Sequence, residues 1–114
     1  MTATISRVLE LFEQINRIPR CSKNEEAIAG WFEAWARSHG WPSKRDPAGN
    51  LLIGVPAAAG CERAPRVVLQ GHLDMVCEKT PESLHDFSRD AIRLIREGDW
   101  IHADATTLGA DNGV

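Results

Sequence analysis

His72-Leu73-Asp74 sets an imidazole and a carboxylate one residue apart, the pairing from which metal sites are built. A carboxylate beside a histidine fixes the ring's tautomer and orientation and raises the basicity of the nitrogen left for a cation. The same triplet also describes a histidine hydrogen-bonded at the end of a strand, and alone it does not choose between the two. Asp111-Asn112-Gly113, with Gly109 just before it, offers a second carboxylate where the backbone can bend tightly. One carboxylate spans two cations roughly 3.5–4 Å apart, one oxygen to each. Asp-Asn-Gly is equally good turn chemistry. Cys77, shortly after His72, is a third candidate ligand, but it has no nearby cysteine in the spacing that zinc sites use.

The elements that must position these groups follow from apolar spacing. Ile5, Val8, Leu9, Phe12 and Ile15 recur at helical intervals, predicting an amphipathic helix over Ile5–Ile18 that Pro19 ends. Ser22 with Glu25 three positions on has the form of a capping box opening a second helix. In that helix Ile28, Trp31, Phe32 and Trp35 make one apolar stripe, expected in the core, and Gly40 closes it. Asn50–Val55 reads as a short buried strand, and Arg66–Gly71 as a central strand covered on both faces. Thr80–Asp90 is polar and contains Pro81, so it reads as loop or short helix. Ile92–Ile95 and Trp100–Ala103, joined through Glu97-Gly98-Asp99, predict a β-hairpin.

Helices followed by strands imply an α/β fold, a mixed sheet flanked by helices. Ligands in such sheets sit at the carboxyl ends of central strands. His72 and Asp74 would then stand at the mouth of one strand, and Asp111 in a loop after another. His39 and His102 are expected at the surface, and His85 in a polar loop near the site.

The totals exclude several functions. With 114 residues the chain suits one domain. Hydrophobic residues at 43% and charged residues at 25% describe a globular protein rather than a disordered one. A net charge of -3, scattered along the chain, leaves no footprint for nucleic acid or an anionic membrane. No apolar run approaches the roughly 20 residues of a membrane span, and the N-terminus lacks the features of a secretory signal. Three widely spaced cysteines, Cys21, Cys61 and Cys77, argue against a disulfide framework and for a reducing, cytoplasmic compartment.

Taken together, His72-Leu73-Asp74-Met75-Val76 and Thr107-Leu108-Gly109-Ala110-Asp111-Asn112-Gly113 closely resemble the aminoacyl-histidine dipeptidases of the co-catalytic zinc peptidase superfamily. Ile18-Pro19, Asn24-Glu25-Glu26, Asp46-Pro47-Ala48-Gly49-Asn50-Leu51, His85-Asp86-Phe87 and Gly98-Asp99-Trp100 follow in the family's order. The resemblance implies that His72 binds one zinc, that Asp74 orients His72 and tunes the site, and that Asp111 bridges two zincs. It implies two Zn2+ in a complete site, with Co2+ or Mn2+ as substitutes. It also implies hydrolysis of unblocked dipeptides such as Xaa-His by a metal-activated water, a homodimer in the intact enzyme, and a cis peptide bond after Asp111.

The family's pattern goes on to an adjacent Glu-Glu pair, a further acidic ligand and a distal histidine, none of which is assignable here. Glu25-Glu26 is such a pair, but it falls in the first turn of a helix, where negative charge suits the helix dipole. Residues 1–114 are therefore expected to be the N-terminal part of a single catalytic domain, with the remainder of that domain and a lid domain absent. Two other readings stay open: a non-catalytic remnant, and an aminoacylase or carboxypeptidase of the same superfamily.

Overall fold

A computed structural model of the chain describes residues 2–111. Its elements run α1 (Ala3–Asn16), α2 (Glu26–Ser38), β1 (Ser43–Arg45), β2 (Leu51–Ile53), β3 (Leu94–Glu97) and β4 (Trp100–Ala103). They group into two compact units, Ala29–Gln70 and the segments on either side of it.

In the flanking unit, α1 begins earlier than its apolar spacing predicts, because the Thr2 side chain accepts the Ile5 N–H at 3.4 Å and so caps it. The helix ends at Asn16, ahead of Pro19. Its stripe is only partly covered: Ile15 is buried, whereas Ile5 and Val8 are exposed. Asn16 is buried as well; its Nδ2 donates to the Phe12 carbonyl at 2.9 Å, and its own carbonyl accepts the Ile92 N–H at 2.8 Å. This last bond ties the end of α1 to the start of the hairpin.

The expected hairpin forms, but its first strand is Leu94–Glu97 rather than Ile92–Ile95. β3 and β4 pair antiparallel with Glu97 opposite Trp100, leaving Gly98-Asp99 as a two-residue turn in which Gly98 takes a φ of 60°. Arg96 on β3 reaches back to Glu13 of α1 at 2.5 Å. His102 is exposed and lies 3.5 Å from Glu97.

The other unit carries most of α2 and a hairpin the sequence did not disclose. β1 and β2 pair antiparallel, Arg45 opposite Leu51, around a turn in which Asp46 accepts the Asn50 N–H at 2.9 Å. Of the strand expected over Asn50–Val55 only Leu51–Ile53 is laddered, and Leu52 is exposed. Arg45 is held 2.7 Å from Glu33 on α2. The helix closes as Gly40 predicts. The Gly40 N–H bonds to the Arg37 carbonyl and the Trp41 N–H to the Ala36 carbonyl, with Gly40 at a φ of +71°. Trp31 and Trp35 stack at 6.4 Å, and Trp35 meets His39 and Trp41, but both tryptophans remain half-buried rather than core.

Two further expectations are corrected. There is no capping box: α2 starts at Glu26, the Ser22 hydroxyl is spent on Asp74, and Glu25 accepts the Lys23 N–H at 2.7 Å. Nor is Arg66–Gly71 a buried strand. Val67, Val68 and Leu69 are 81%, 79% and 93% exposed. A strand is made by its neighbours' hydrogen bonds, and both ladders among the described residues pair only within themselves. The α/β combination holds, but the mixed sheet is represented here by two separate antiparallel pairs.

Candidate functional site

The candidate residues gather where the chain after Gly71 runs beside the turn that follows α1. Met75 is buried there, its N–H donating to the Arg20 carbonyl at 3.0 Å and its carbonyl accepting the Ser22 N–H at 3.3 Å. These two bonds make a short parallel bridge between Cys21 and Met75. That bridge, rather than a long central strand, positions His72 and Asp74.

His72 and Asp74 are brought together as their spacing implies. His72 Nδ1 lies 2.9 Å from Asp74 Oδ1. An ionised carboxylate only accepts, so Nδ1 is the donor in this bond and Nε2 is the ring nitrogen left outside it. The other carboxylate oxygen accepts the Ser22 hydroxyl at 2.5 Å. Ser22 first and His72 second hold the Asp74 carboxyl below the usual carboxylate range, because both donate to its charged form. The His72 side chain is half exposed and Asp74 less so.

Asp111 follows the Thr106–Ala110 segment. Thr107 Oγ1 donates to the Val76 carbonyl at 2.6 Å, and the Thr107 N–H to the Glu78 carbonyl at 2.9 Å, so this segment lies along the one that carries Asp74. Gly109 has a φ of +67°, and a Cβ added there would lie 2.6 Å from Met75 Cβ and 2.9 Å from Arg20 Nη2. Only glycine allows so close an approach. Asn112 and Gly113, together with the peptide bond after Asp111, lie outside the described residues.

Two residues that the motifs did not single out complete the arrangement. Ser22 carried the signature of a helix cap and instead serves Asp74. Arg20 is 1% exposed, with Nη1 donating to the Leu73 carbonyl at 3.3 Å and Nη2 to the Gly109 carbonyl at 2.8 Å. Burial pulls the guanidinium below its ordinary range, opposed by the nearby charges of Asp111 and then Asp74. A buried arginine beside an acidic cluster is a signal only once the fold has placed it.

The cysteine expectation is overturned. Cys21 and Cys77 form a disulfide, their Cα atoms 5.6 Å apart across a sequence separation of 56, while Cys61 is free and exposed. Distance along the chain was the wrong guide, because the bridge at Met75 sets the two side by side. Cys77 is therefore no metal ligand, and the argument from unpaired thiols to a reducing compartment falls. Among the described residues no group of three or more His, Cys, Asp or Glu is placed to hold an ion, and no helix is long and apolar enough to cross a membrane. His85 is half-buried, 4.5 Å from the Phe87 ring, with its Nε2 unpartnered among the described residues.

Comparison with known proteins agrees with the motif reading. No family model matches the chain. It is 46% identical over 105 residues, 92% of its length, to the cytosol non-specific dipeptidase of Escherichia coli (strain K12), of which it spans 22%. It also superposes on the crystal structure of aminoacylhistidine dipeptidase from Vibrio alginolyticus with a TM-score of 0.87 and 46% identity, over 91% of this chain and 21% of that one. The chain is thus similar in sequence and fold, along nearly all of its length, to about a fifth of an aminoacylhistidine dipeptidase.

Proposed function

We propose that this chain carries the first part of the metal-binding face of a two-zinc dipeptidase and that, taken alone, it does not hydrolyse peptides. The observation that carries the proposal is the Ser22–Asp74–His72 series. It leaves Nε2 as the free donor of His72 and backs that ring with a carboxylate kept ionised. An imidazole with one carboxylate-bound nitrogen and a solvent-facing second carboxylate at Asp111 is a donor set suited to zinc, with Co2+ or Mn2+ as substitutes. His72 and Asp111 would hold the metal, and the ion would supply an activated water and a polarised carbonyl when bound. Asp74 would keep the proton on Nδ1 and the ring in place; Ser22 would keep Asp74 in place.

Two donors fall short of the three or four that a stable zinc site uses. We therefore read residues 1–114 as part of one catalytic domain whose general base and further ligands lie elsewhere. For the whole enzyme the substrate class we propose is an unblocked dipeptide; the relatives' names state dipeptidases. Cytoplasmic location and a homodimer belong to the same proposal. No nucleic-acid or membrane partner is part of it.

The test is hydrolysis of Ala-His and Gly-His by the purified chain with added zinc. No turnover is expected. Turnover abolished by His72→Ala would show a complete site and overturn the second half of the proposal. Cleavage of N-acetylated amino acids alone by an enzyme containing this segment would move the assignment to the aminoacylases.

A further inference from the structure

We infer that Arg20 is a positioning residue for the metal-binding face, gripping the segment of His72 and Asp74 with one nitrogen and the loop of Asp111 with another. This rests on the function proposed above. Arg20 stands outside the His-x-Asp and Gly-Ala-Asp motifs, and its role follows from four features of its surroundings.

First, its two terminal nitrogens go to two different segments. Nη1 takes the carbonyl of Leu73, the residue between His72 and Asp74, and Nη2 takes that of Gly109, two residues before Asp111. The fork of a guanidinium is planar and rigid, so bonding both carbonyls sets the spacing between them. Second, the Arg20 backbone belongs to the same junction, since its carbonyl accepts the Met75 N–H at 3.0 Å. Third, Gly109 comes so near Met75 and Nη2 that a Cβ added there would lie 2.6 Å from Met75 Cβ and 2.9 Å from Nη2, so the loop backbone sits against the guanidinium. Fourth, Arg20 is a 1%-exposed cation whose nearby charges are Asp111 and Asp74, so the carboxylates repay part of its desolvation. Nε makes no hydrogen bond among the described residues, which leaves the two carbonyl bonds as the grip.

Arg20 therefore couples two segments far apart in sequence that must converge if one ion, or a pair of ions, is to see both His72 and Asp111. A lysine keeps the charge but offers a point donor that cannot span two carbonyls in a fixed geometry. Methionine keeps the stem and removes both charge and grip.

The experiment titrates Co2+ into the 114-residue chain and follows the His72 ring signals by NMR, with helical circular dichroism as the check on folding. Co2+ is used because its paramagnetic shifts report which ring it touches. Arg20→Met is expected to weaken the His72-linked Co2+ affinity by about tenfold or more, the usual loss on removing an outer-shell support. Arg20→Lys should retain the helical signal and recover only a minor part of that loss. If Arg20→Met loses its helical signal, Arg20→Lys decides: affinity within about twofold of the unsubstituted chain overturns the proposal, as it would for a folded Arg20→Met. His72→Ala separates the two proposals. If its Co2+ affinity, read from the visible absorption of the bound ion, is unchanged, the metal-site reading itself fails. If it abolishes that affinity while the Arg20 variants keep theirs, only the positioning role fails.

Discussion

Ser22 and Asp74, 52 positions apart, meet through a hydroxyl-to-carboxylate hydrogen bond of 2.5 Å on the oxygen that His72 does not use. The carboxylate is thereby held from both sides, by a hydroxyl and by an imidazole N–H. Its depressed pKa reflects these two donors.

Ser22→Ala should raise the Asp74 carboxyl towards the ordinary value of about 3.9. The sign follows from linkage. A carboxyl lowered in the folded state contributes stability above its unfolded value and loses it as pH falls through the folded value. The melting temperature of Ser22→Ala should thus lie below that of the unsubstituted chain at neutral pH, the gap closing in acid. Carbon-detected NMR titration of Asp74 checks the shift directly; an unmoved midpoint would remove Ser22 from the account.

The Cys21–Cys77 bridge closes a loop across a sequence separation of 56. Iodoacetamide applied without reductant should modify Cys61 alone, and mass spectrometry should recover Cys21 and Cys77 in one linked peptide pair. Cys77→Ser should cost about 2–5 kcal/mol, chiefly because the unfolded chain is freed of its crosslink. Urea melts of the oxidised chain and the variant measure this.

Gly109→Ala adds a methyl group that would press on Met75 Cβ and Arg20 Nη2, and it forces alanine to a φ of +67°. Crowding and the left-handed backbone together should destabilise the chain by about 2–4 kcal/mol. Gly60→Ala, at a φ of +85° with nothing within 4 Å, incurs only the backbone cost and is the control. Equal losses from the two would contradict the packing described at Gly109.

Asp46 gives a pH test away from the site. Its carboxyl lies below the usual range because the Asn50 side chain, then the Asn50 backbone N–H, donate to it. Asn50→Ala removes the 2.8 Å bond from Nδ2 and should raise that pKa. The stability at stake is present above about pH 3.9 and fades as pH falls through the folded value. Thermal melts at neutral and acid pH should show a deficit for the variant that narrows with acidification.

Much of the local structure was legible in the sequence because its causes are local. The 3.6-residue spacing of Ile5 to Ile15 drew α1, Pro19 and Gly40 marked helix ends, and Gly98-Asp99 drew the hairpin turn. His72 and Asp74 were legible as a pair because one intervening residue lets their side chains meet. Arg66–Gly71 was misread because apolar composition signals a strand only when neighbouring strands cover it, and periodicity cannot report neighbours.

The sequence by itself determined the helices, the turn chemistry, the His-x-Asp pair and the kinship with aminoacylhistidine dipeptidases. Tertiary structure alone decided that Cys21 and Cys77 are bonded, that Ser22 serves Asp74 rather than a helix, and that Arg20 holds Leu73 and Gly109. Each of these joins residues more than fifty positions apart. Such contacts depend on where the whole chain brings its segments, which no local pattern of residue types encodes.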